Sequence, residues 1–335
     1  MTGKSKNLDP IAAAWGLGGI TPLLGDAGLR QYYRVLTPDG GKAILALYPA
    51  KVPGADDPFN DFISLHSYLG PILRVPAIHR SEPTLRAMLL EDVGDATLGD
   101  HLARSPQEEY LWAEKVAWEL MDWVGPLTIA APQGVFFVGR SFDMAKYGFE
   151  WAFCTEHFFN GLLGKRPPLW LDRMMARIHA YLAPRAKYLA HRDFHVRNLM
   201  VSSQRPVTID FQDARLGPAT YDLASIMFDG YWDWGKETKK LMADRLMAAL
   251  GWPEAGFWGE LNQVALQRGL KALGTFAYQL LEKNKTRYAA AIPRTLRHVR
   301  GHFGSLSHGE GVLQAGNWLR AAQEKIRRGW PTALD

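Results

Sequence analysis

Cysteine is almost missing: Cys154 stands alone among 335 residues. A single thiol excludes an internal disulfide and any cysteine-based zinc site. Long apolar runs are missing too, and nothing approaches the roughly 20 apolar residues of a membrane-crossing helix. The opening Met1-Thr2-Gly3-Lys4-Ser5-Lys6 has no apolar region of the signal-peptide kind. The expectation is a cytoplasmic enzyme of bacterial type with no membrane partner. Lys and Arg number 39 against 34 Asp and Glu. They are scattered, not gathered into a tail or stripe, so no nucleic-acid partner is expected. Internal repeats and low-complexity linkers are absent as well. The length accommodates two domains, and a hydrophobic share of 47% suffices for a sizeable core. Twelve tryptophans are many for this length; most are expected in the core, some as sugar-stacking platforms. Nothing in the sequence speaks to oligomeric state.

What is present concentrates in His191-Arg192-Asp193-Phe194-His195-Val196-Arg197-Asn198, followed by Ile209-Asp210-Phe211-Gln212-Asp213. Asp193 and Asn198 lie five positions apart around a basic loop, and Asp210 comes twelve positions after Asn198. Leu199–Val201 and Val207–Ile209 are β-prone and flank a turn at Ser202–Pro206. Such a hairpin predicts that Asn198 and Asp210 come close together. Phosphoryl transfer needs this set: a carboxylate to take the acceptor's proton, and an amide and a carboxylate to hold Mg²⁺ on the ATP phosphates. The alternative is a capped, solvated loop.

Along the chain, residues 1–9 read as disordered, and Asp9-Pro10 pairs an N-cap with an N1 proline. Leu24–Arg30 is a turn containing Gly25 and Gly28, which can drape over phosphates. It leads into strands at Gln31–Leu36 and Lys42–Tyr48, joined by a tight turn at Thr37–Gly41. Asp57-Pro58 caps a helix with Phe59, Phe62, Leu65 and Leu69 at helical spacing. Strands at Val75–His79 and Leu85–Leu90 follow, and then Glu91–Val93, where backbone groups of Glu91 and Val93 would pair with adenine. From Thr97 the pattern is helical. Gln107–Val124 sets Tyr110, Leu111, Val116, Leu120 and Val124 near one face, Ser141–Leu163 is rich in aromatics, Leu169–Leu182 is a further helix, and helices continue to about Ala322. The organisation expected is a two-lobed protein-kinase-like α+β fold. Residues 1–93 would form a small antiparallel-sheet lobe that binds nucleotide, and 94–335 a larger, mainly helical lobe for catalysis and acceptor.

These motifs carry a resemblance. His191–Asn198, Ile209–Asp213 and Gly217-Pro218-Ala219-Thr220-Tyr221-Asp222-Leu223-Ala224 resemble the catalytic loop, the magnesium motif and the following helix of the aminoglycoside phosphotransferase and choline kinase superfamily. Gly25-Asp26-Ala27-Gly28-Leu29-Arg30-Gln31-Tyr32-Tyr33-Arg34 is similar to the phosphate loop of the bacterial anomeric sugar kinases. So are Val75–His79, Leu90–Asp95, Gln267–Gly274 and Ile292–Val299. The likeness runs from about Pro22 to Val299. It implies ATP- and Mg²⁺-dependent phosphorylation of N-acetylmuramate and N-acetylglucosamine at C1, a step of peptidoglycan recycling.

By position, the resemblance makes Asp193 the catalytic base and Asn198 and Asp210 the metal ligands. His191 would hold the loop backbone, and Asp222 would support the loop from the next helix. His195 would lie near the γ-phosphate or pack; Asp213 would cap a loop or serve magnesium at one remove. One departure matters. The small-lobe strand of the superfamily carries a phosphate-pairing lysine, but Ala43-Ile44-Leu45-Ala46-Leu47-Tyr48 has none, and Lys42 and Lys51 only bracket it. Arg30 and Arg34 are the expected replacements, since a guanidinium grips phosphate bidentately. For the acceptor, the Phe142–Phe159 segment, Tyr231–Trp234, Gln267, Arg197 and Arg268 offer suitable groups, with Arg268 matched to a lactyl carboxylate. A polycationic aminoglycoside would instead want acids, and Lys236, Lys239 and Lys240 argue the other way. The alternatives are phosphorylation of an aminoglycoside or another alcohol, and a silent nucleotide-binding regulator motivated by the missing lysine.

Overall fold

The computed structural model describes residues 8–23, 30–52, 57–124, 139–202, 205–306 and 308–331. In chain order the elements begin α1 (Leu8–Trp15), β1 (Gly18–Leu23), β2 (Gln31–Leu36), β3 (Lys42–Leu47), α2 (Pro58–Leu69), β4 (Ile78–Glu82) and β5 (Ala87–Glu91). Then come α3 (Leu98–Arg104), α4 (Glu109–Val124), α5 (Met144–Cys154), α6 (Leu169–Leu182), β6 (Tyr188–Ala190), β7 (Leu199–Ser202), β8 (Arg205–Thr208) and β9 (Arg215–Gly217). The chain closes with α7 (Tyr221–Met227), α8 (Lys236–Leu250), α9 (Glu254–Leu281), α10 (Ala291–Ser305) and α11 (Gly309–Gly329). They gather into two compact units, Met1–Ala96 with Leu199–Asp213, and Thr97–Asn198 with Ala214–Asp335.

The first unit is built on an antiparallel sheet of order β1-β2-β3-β5-β4. Alternation in β2 and β3 turns Tyr33, Val35, Ala43, Leu45 and Leu47 into one cluster, sealed by Leu8, Ile11 and Trp15 of α1. Fully burying an aliphatic side chain such as Val35 or Leu45 contributes about 1.5–3 kcal/mol. The β2–β3 turn forms as expected, with Gly40 at φ +85°, where a side chain is strained. Leu8 and Asp9 are helical, and Leu8 is buried, so the expected disorder stops short of them. The remainder of that expectation lies outside the described residues. β1 was not expected, because Gly18, Gly19 and Pro22 mask its strand character. β4 and β5 start later than the sequence pattern predicts. Val75 N–H turns back to Leu73 O, and Arg86 at φ +50° keeps Leu85 in the turn. Asp57 occupies the N-cap position of α2 but makes no capping bond to the backbone. Its carboxylate goes to Arg86 at 2.7 Å instead. The distant β7–β8 hairpin joins this unit: Val201 N–H bonds Ala96 O, Thr208 N–H bonds Arg74 O, and Phe211 stacks on Phe62.

The second unit is helical around α9, a 28-residue helix. α9 meets α5 so closely that a Cβ at Gly274 would lie 2.7 Å from Cys154 Cα. Beyond Cys154 the helix continues with π-type winding over Thr155–Leu163 and ends at Gly164, φ +66°. α4 buries Trp112, Val116, Leu120 and Trp123, while Tyr110 and Leu111 are exposed. Tyr110 and Leu111 precede Val116 by six and five positions, which at about 100° per residue turns them roughly 120–140° away from it. Tyr110 and Leu111 therefore do not share the face of Val116, Leu120 and Val124, contrary to the expectation from the sequence. The short antiparallel pair β6–β9 ties the chain before the His191 loop to the chain after Asp213.

Candidate active site

In the first unit, Asp210 sits just past β8 with φ +61°, a backbone conformation that is costly for a residue with a side chain. Fully buried Phe211 holds it there. Asp210 Oδ1 accepts Arg30 Nη2 at 2.7 Å and Gln212 Nε2 at 2.9 Å. Arg30 leads into β2 and lies over the Tyr32 ring. Half-buried Tyr32 has its hydroxyl pushed up to about 12 by desolvation, so it stays neutral. Arg34 is employed differently. Its guanidinium spans Asp92 at 2.6 and 3.0 Å and Asp95 at 2.6 Å. Glu91 directs its carboxylate to Arg74 and to Ala77 N–H, while its own N–H bonds Ala77 O. Val93 follows in the irregular stretch after β5. Gly25 and Gly28 lie outside the described residues.

In the second unit the catalytic loop is pinned by its backbone. Phe194 and Val196 are fully buried anchors. Asp222 at the start of α7 accepts His191 N–H at 2.6 Å and Arg192 N–H at 3.0 Å. Asp229 accepts Val196 N–H at 3.0 Å and Tyr231 N–H at 2.7 Å. Burial pushes both carboxyls up to about 6. His191 is buried, with Trp123 and Phe194 edge-on, and its Nδ1 accepts Asp193 N–H at 3.3 Å. Arg192 takes φ +83° immediately before the aspartate. Asn198 Nδ2 donates to Asp193 O at 2.9 Å, which leaves the amide oxygen as the atom available to a cation. An amide oxygen and a carboxylate are the hard donors that Mg²⁺ takes, alongside phosphate oxygens. The residues therefore fit such an ion in kind. Among the described residues no group of three or more His, Cys, Asp or Glu forms a metal cage of its own.

Asp193 keeps 36% of its side chain exposed. Its Oδ1 pairs with Lys271 Nζ at 2.9 Å and faces Arg268 at 3.9 Å, and Arg192 approaches Oδ2 at 4.0 Å. Burial alone would raise its pKa, but Lys271, then Arg192 and Arg268, hold it well below the usual carboxylate range. His195 stands edge-on to Tyr231, and desolvation pushes its imidazole down to about 3. It is therefore neutral and offers no positive charge. Arg197 lies over the same Tyr231 ring, its guanidinium 3.8 Å from the ring centre. Arg268 is buried on α9.

Four residues not assigned a role from the sequence contribute to the site. Lys271 lies three residues beyond Arg268 and four beyond Gln267, so helical spacing puts them on one face. Asp229, just past the end of α7, repeats the task of Asp222 by accepting backbone N–H groups of the loop and of Tyr231. Lys146 and Glu150 form an i,i+4 pair on α5 at 3.7 Å, and Gln267 donates to Glu150 Oε2 at 3.0 Å.

A sequence model of the phosphotransferase enzyme family, APH, matches residues 19–261. Similar curated proteins include an N-acetylmuramate/N-acetylglucosamine kinase of Neisseria meningitidis serogroup B, 30% identical over 82% of this chain and 83% of that protein. One of the same name from Pseudomonas putida is 26% identical over 87% and 86%. Among solved structures, ADP-bound aminoglycoside phosphotransferase APH(2'')-Ib matches with TM-score 0.59 at 14% identity, covering 90% of this chain and 99% of that one. Choline kinase LicA from Streptococcus pneumoniae matches with TM-score 0.58 at 12% identity, covering 88% and 97%. At those identities the structural likeness speaks for the fold: a two-lobed, kinase-like α+β architecture.

Proposed function

The chain belongs to the phosphotransferase enzyme family, and from that premise we propose that it moves the γ-phosphate of ATP to the anomeric C1 hydroxyl of N-acetylmuramate or N-acetylglucosamine. The observation that carries this is Asp193. It is a carboxylate held ionised by Lys271, on a loop fixed by two buried aspartates. Asp193 accepts the acceptor hydroxyl's proton as the sugar oxygen bonds to the γ-phosphorus. The bond from that phosphorus to the β-bridging oxygen breaks, and ADP leaves with the electron pair. Asn198 Oδ1 and the Asp210 carboxylate would hold Mg²⁺, which when bound neutralises phosphate charge. Arg30, beside Asp210, supplies the phosphate-pairing cation that β3 lacks. His195, neutral, serves as a hydrogen-bonding or packing group. Kinases of this name support a role in reusing cell-wall sugars. A polycationic aminoglycoside is disfavoured by Lys271, Arg268 and Arg192 around Asp193.

An anomeric hydroxyl belongs to a hemiacetal and is more acidic than an ordinary sugar alcohol, so a carboxylate base suits it. One rigid pocket aligns one anomer. The product should be a 1-phosphate of a single anomer, labile to mild acid, and the sugar's alditol should be inert. Phosphorus–proton couplings in the product check this. Coupling to C6 protons, or an alditol that reacts as fast as the sugar, removes the anomeric assignment and leaves the kinase.

A further inference from the structure

Lys146 projects from α5 with its ammonium 3.7 Å from Glu150 Oε1, and 19% of its side chain is exposed. Glu150 is not its alone, because Gln267 occupies the other carboxylate oxygen. Like charges face Lys146 from three other elements: Arg192 on the catalytic loop, Arg215 on β9 and Lys271 on α9. Burial first, then Arg192, outweigh the pull of Glu150 and push the amine down to about 8. Lys271 is in the same field, burdened by Arg192 and Arg268 and eased by Asp193 and Glu150. A lysine kept among cations is poorly served by this chain's own carboxylates. It is well served by an added anion.

Lys146 and Asp193 share the neighbours Arg192 and Lys271. Contacts link the two: Lys146 pairs with Glu150, Glu150 accepts Gln267, and Gln267 lies one turn of α9 before Lys271, which pairs with Asp193. A carboxylate borne elsewhere on the acceptor ring would meet Lys146 while its reacting hydroxyl faces Asp193. Phe149, largely open, has its ring 5.2 Å from the Lys146 ammonium and offers an apolar face beside it.

We propose that Lys146 is a specificity-determining residue that receives a carboxylate of the acceptor, so that an acidic amino sugar is preferred over its neutral counterpart. This rests on the sugar-kinase reading above. N-acetylmuramate carries a lactyl carboxylate and N-acetylglucosamine does not, so the pair isolates the one group at issue.

The test measures kcat/KM for both sugars in the wild type, Lys146→Met and Lys146→Arg. Because both sugars are assayed on one preparation, their ratio is insensitive to any loss of folded enzyme. The expected result is a preference for N-acetylmuramate that falls about tenfold in Lys146→Met, as for a partly desolvated ion pair, and largely returns in Lys146→Arg. A ratio unchanged in Lys146→Met, including both sugars falling in step, overturns the proposal and leaves the sugar-kinase reading standing. A rise in the KM for ATP with the ratio unmoved assigns Lys146 to phosphate and also overturns it. A wild type that phosphorylates neither sugar sinks the sugar-kinase reading, and this proposal with it.

Discussion

The two units handle charge differently. In the first, four arginines are matched to carboxylates within hydrogen-bonding distance. Arg30 has Asp210, Arg34 has Asp92 and Asp95, Arg74 has Glu91, and Arg86 has Asp57. In the second, Lys146, Arg268 and Lys271 draw on Asp193 and Glu150 under added like charge from Arg192. Matched pairs rigidify a scaffold and need no ligand. A crowded cationic cluster is costly until an anion arrives. The Arg34, Arg74 and Arg86 pairs suit a scaffold that must hold its shape, and the crowded cluster of the second unit suits a place that an added anion would complete.

The sharpest way to break this contrast is at Asp193. Asp193→Asn removes both the proton acceptor and a partner of Lys271. Turnover should fall by about three orders of magnitude or more, while affinity for an unreactive ATP analogue stays within about tenfold. Turnover assays beside calorimetry measure both, and retained turnover would take Asp193 out of the role.

Arg30 and Arg34 separate the phosphate task from the scaffold task. Arg30→Ala should raise the KM for ATP about tenfold with a modest change in kcat. Arg34→Ala should instead lower stability by about 1–3 kcal/mol, since it strands the largely buried Asp92. Urea denaturation and ATP kinetics on both variants decide it. If Arg30→Ala keeps wild-type ATP kinetics while Lys42→Ala does not, Lys42 is the phosphate cation.

The smallest effect is a pH dependence. With its amine lowered to about 8, Lys146 is charged at neutral pH and loses its proton as pH rises through that value. The lactyl carboxylate stays ionised throughout. The N-acetylmuramate preference, read as a ratio of kcat/KM values, should therefore decline above pH 8 and be flat in Lys146→Met.

Much of this was legible beforehand because the chemistry is local in sequence. Asp193, Asn198 and Asp210 lie in two short motifs, and β2, β3 and α6 follow from periodicity within single segments. Glycine-rich β1 escaped because its strand character comes from pairing with β2, not from its own residues. The partner of Arg34 was hidden for a similar reason. Asp92 and Asp95 lie 58 and 61 positions away, and only the sheet brings them together. Lys271, 78 positions from Asp193, is positioned by α9, whose inward face depends on what packs against it.

The contact between Gly274 and Cys154 has a mechanical consequence. Lys271 lies three positions before Gly274 on α9, and Lys146 lies eight positions before Cys154 on α5. The two lysines hang from helices whose separation is gauged, a turn or two further on, by a residue with no side chain. A single methyl group there would act as a shim, spreading the helices and widening the gap between the cations. If the acceptor binds beside Lys146 and Lys271 as proposed, the space it meets is gauged at a point remote from both lysines. A chain seeking to admit a bulkier sugar could change its bore by one carbon at position 274 and leave every charged group as it is.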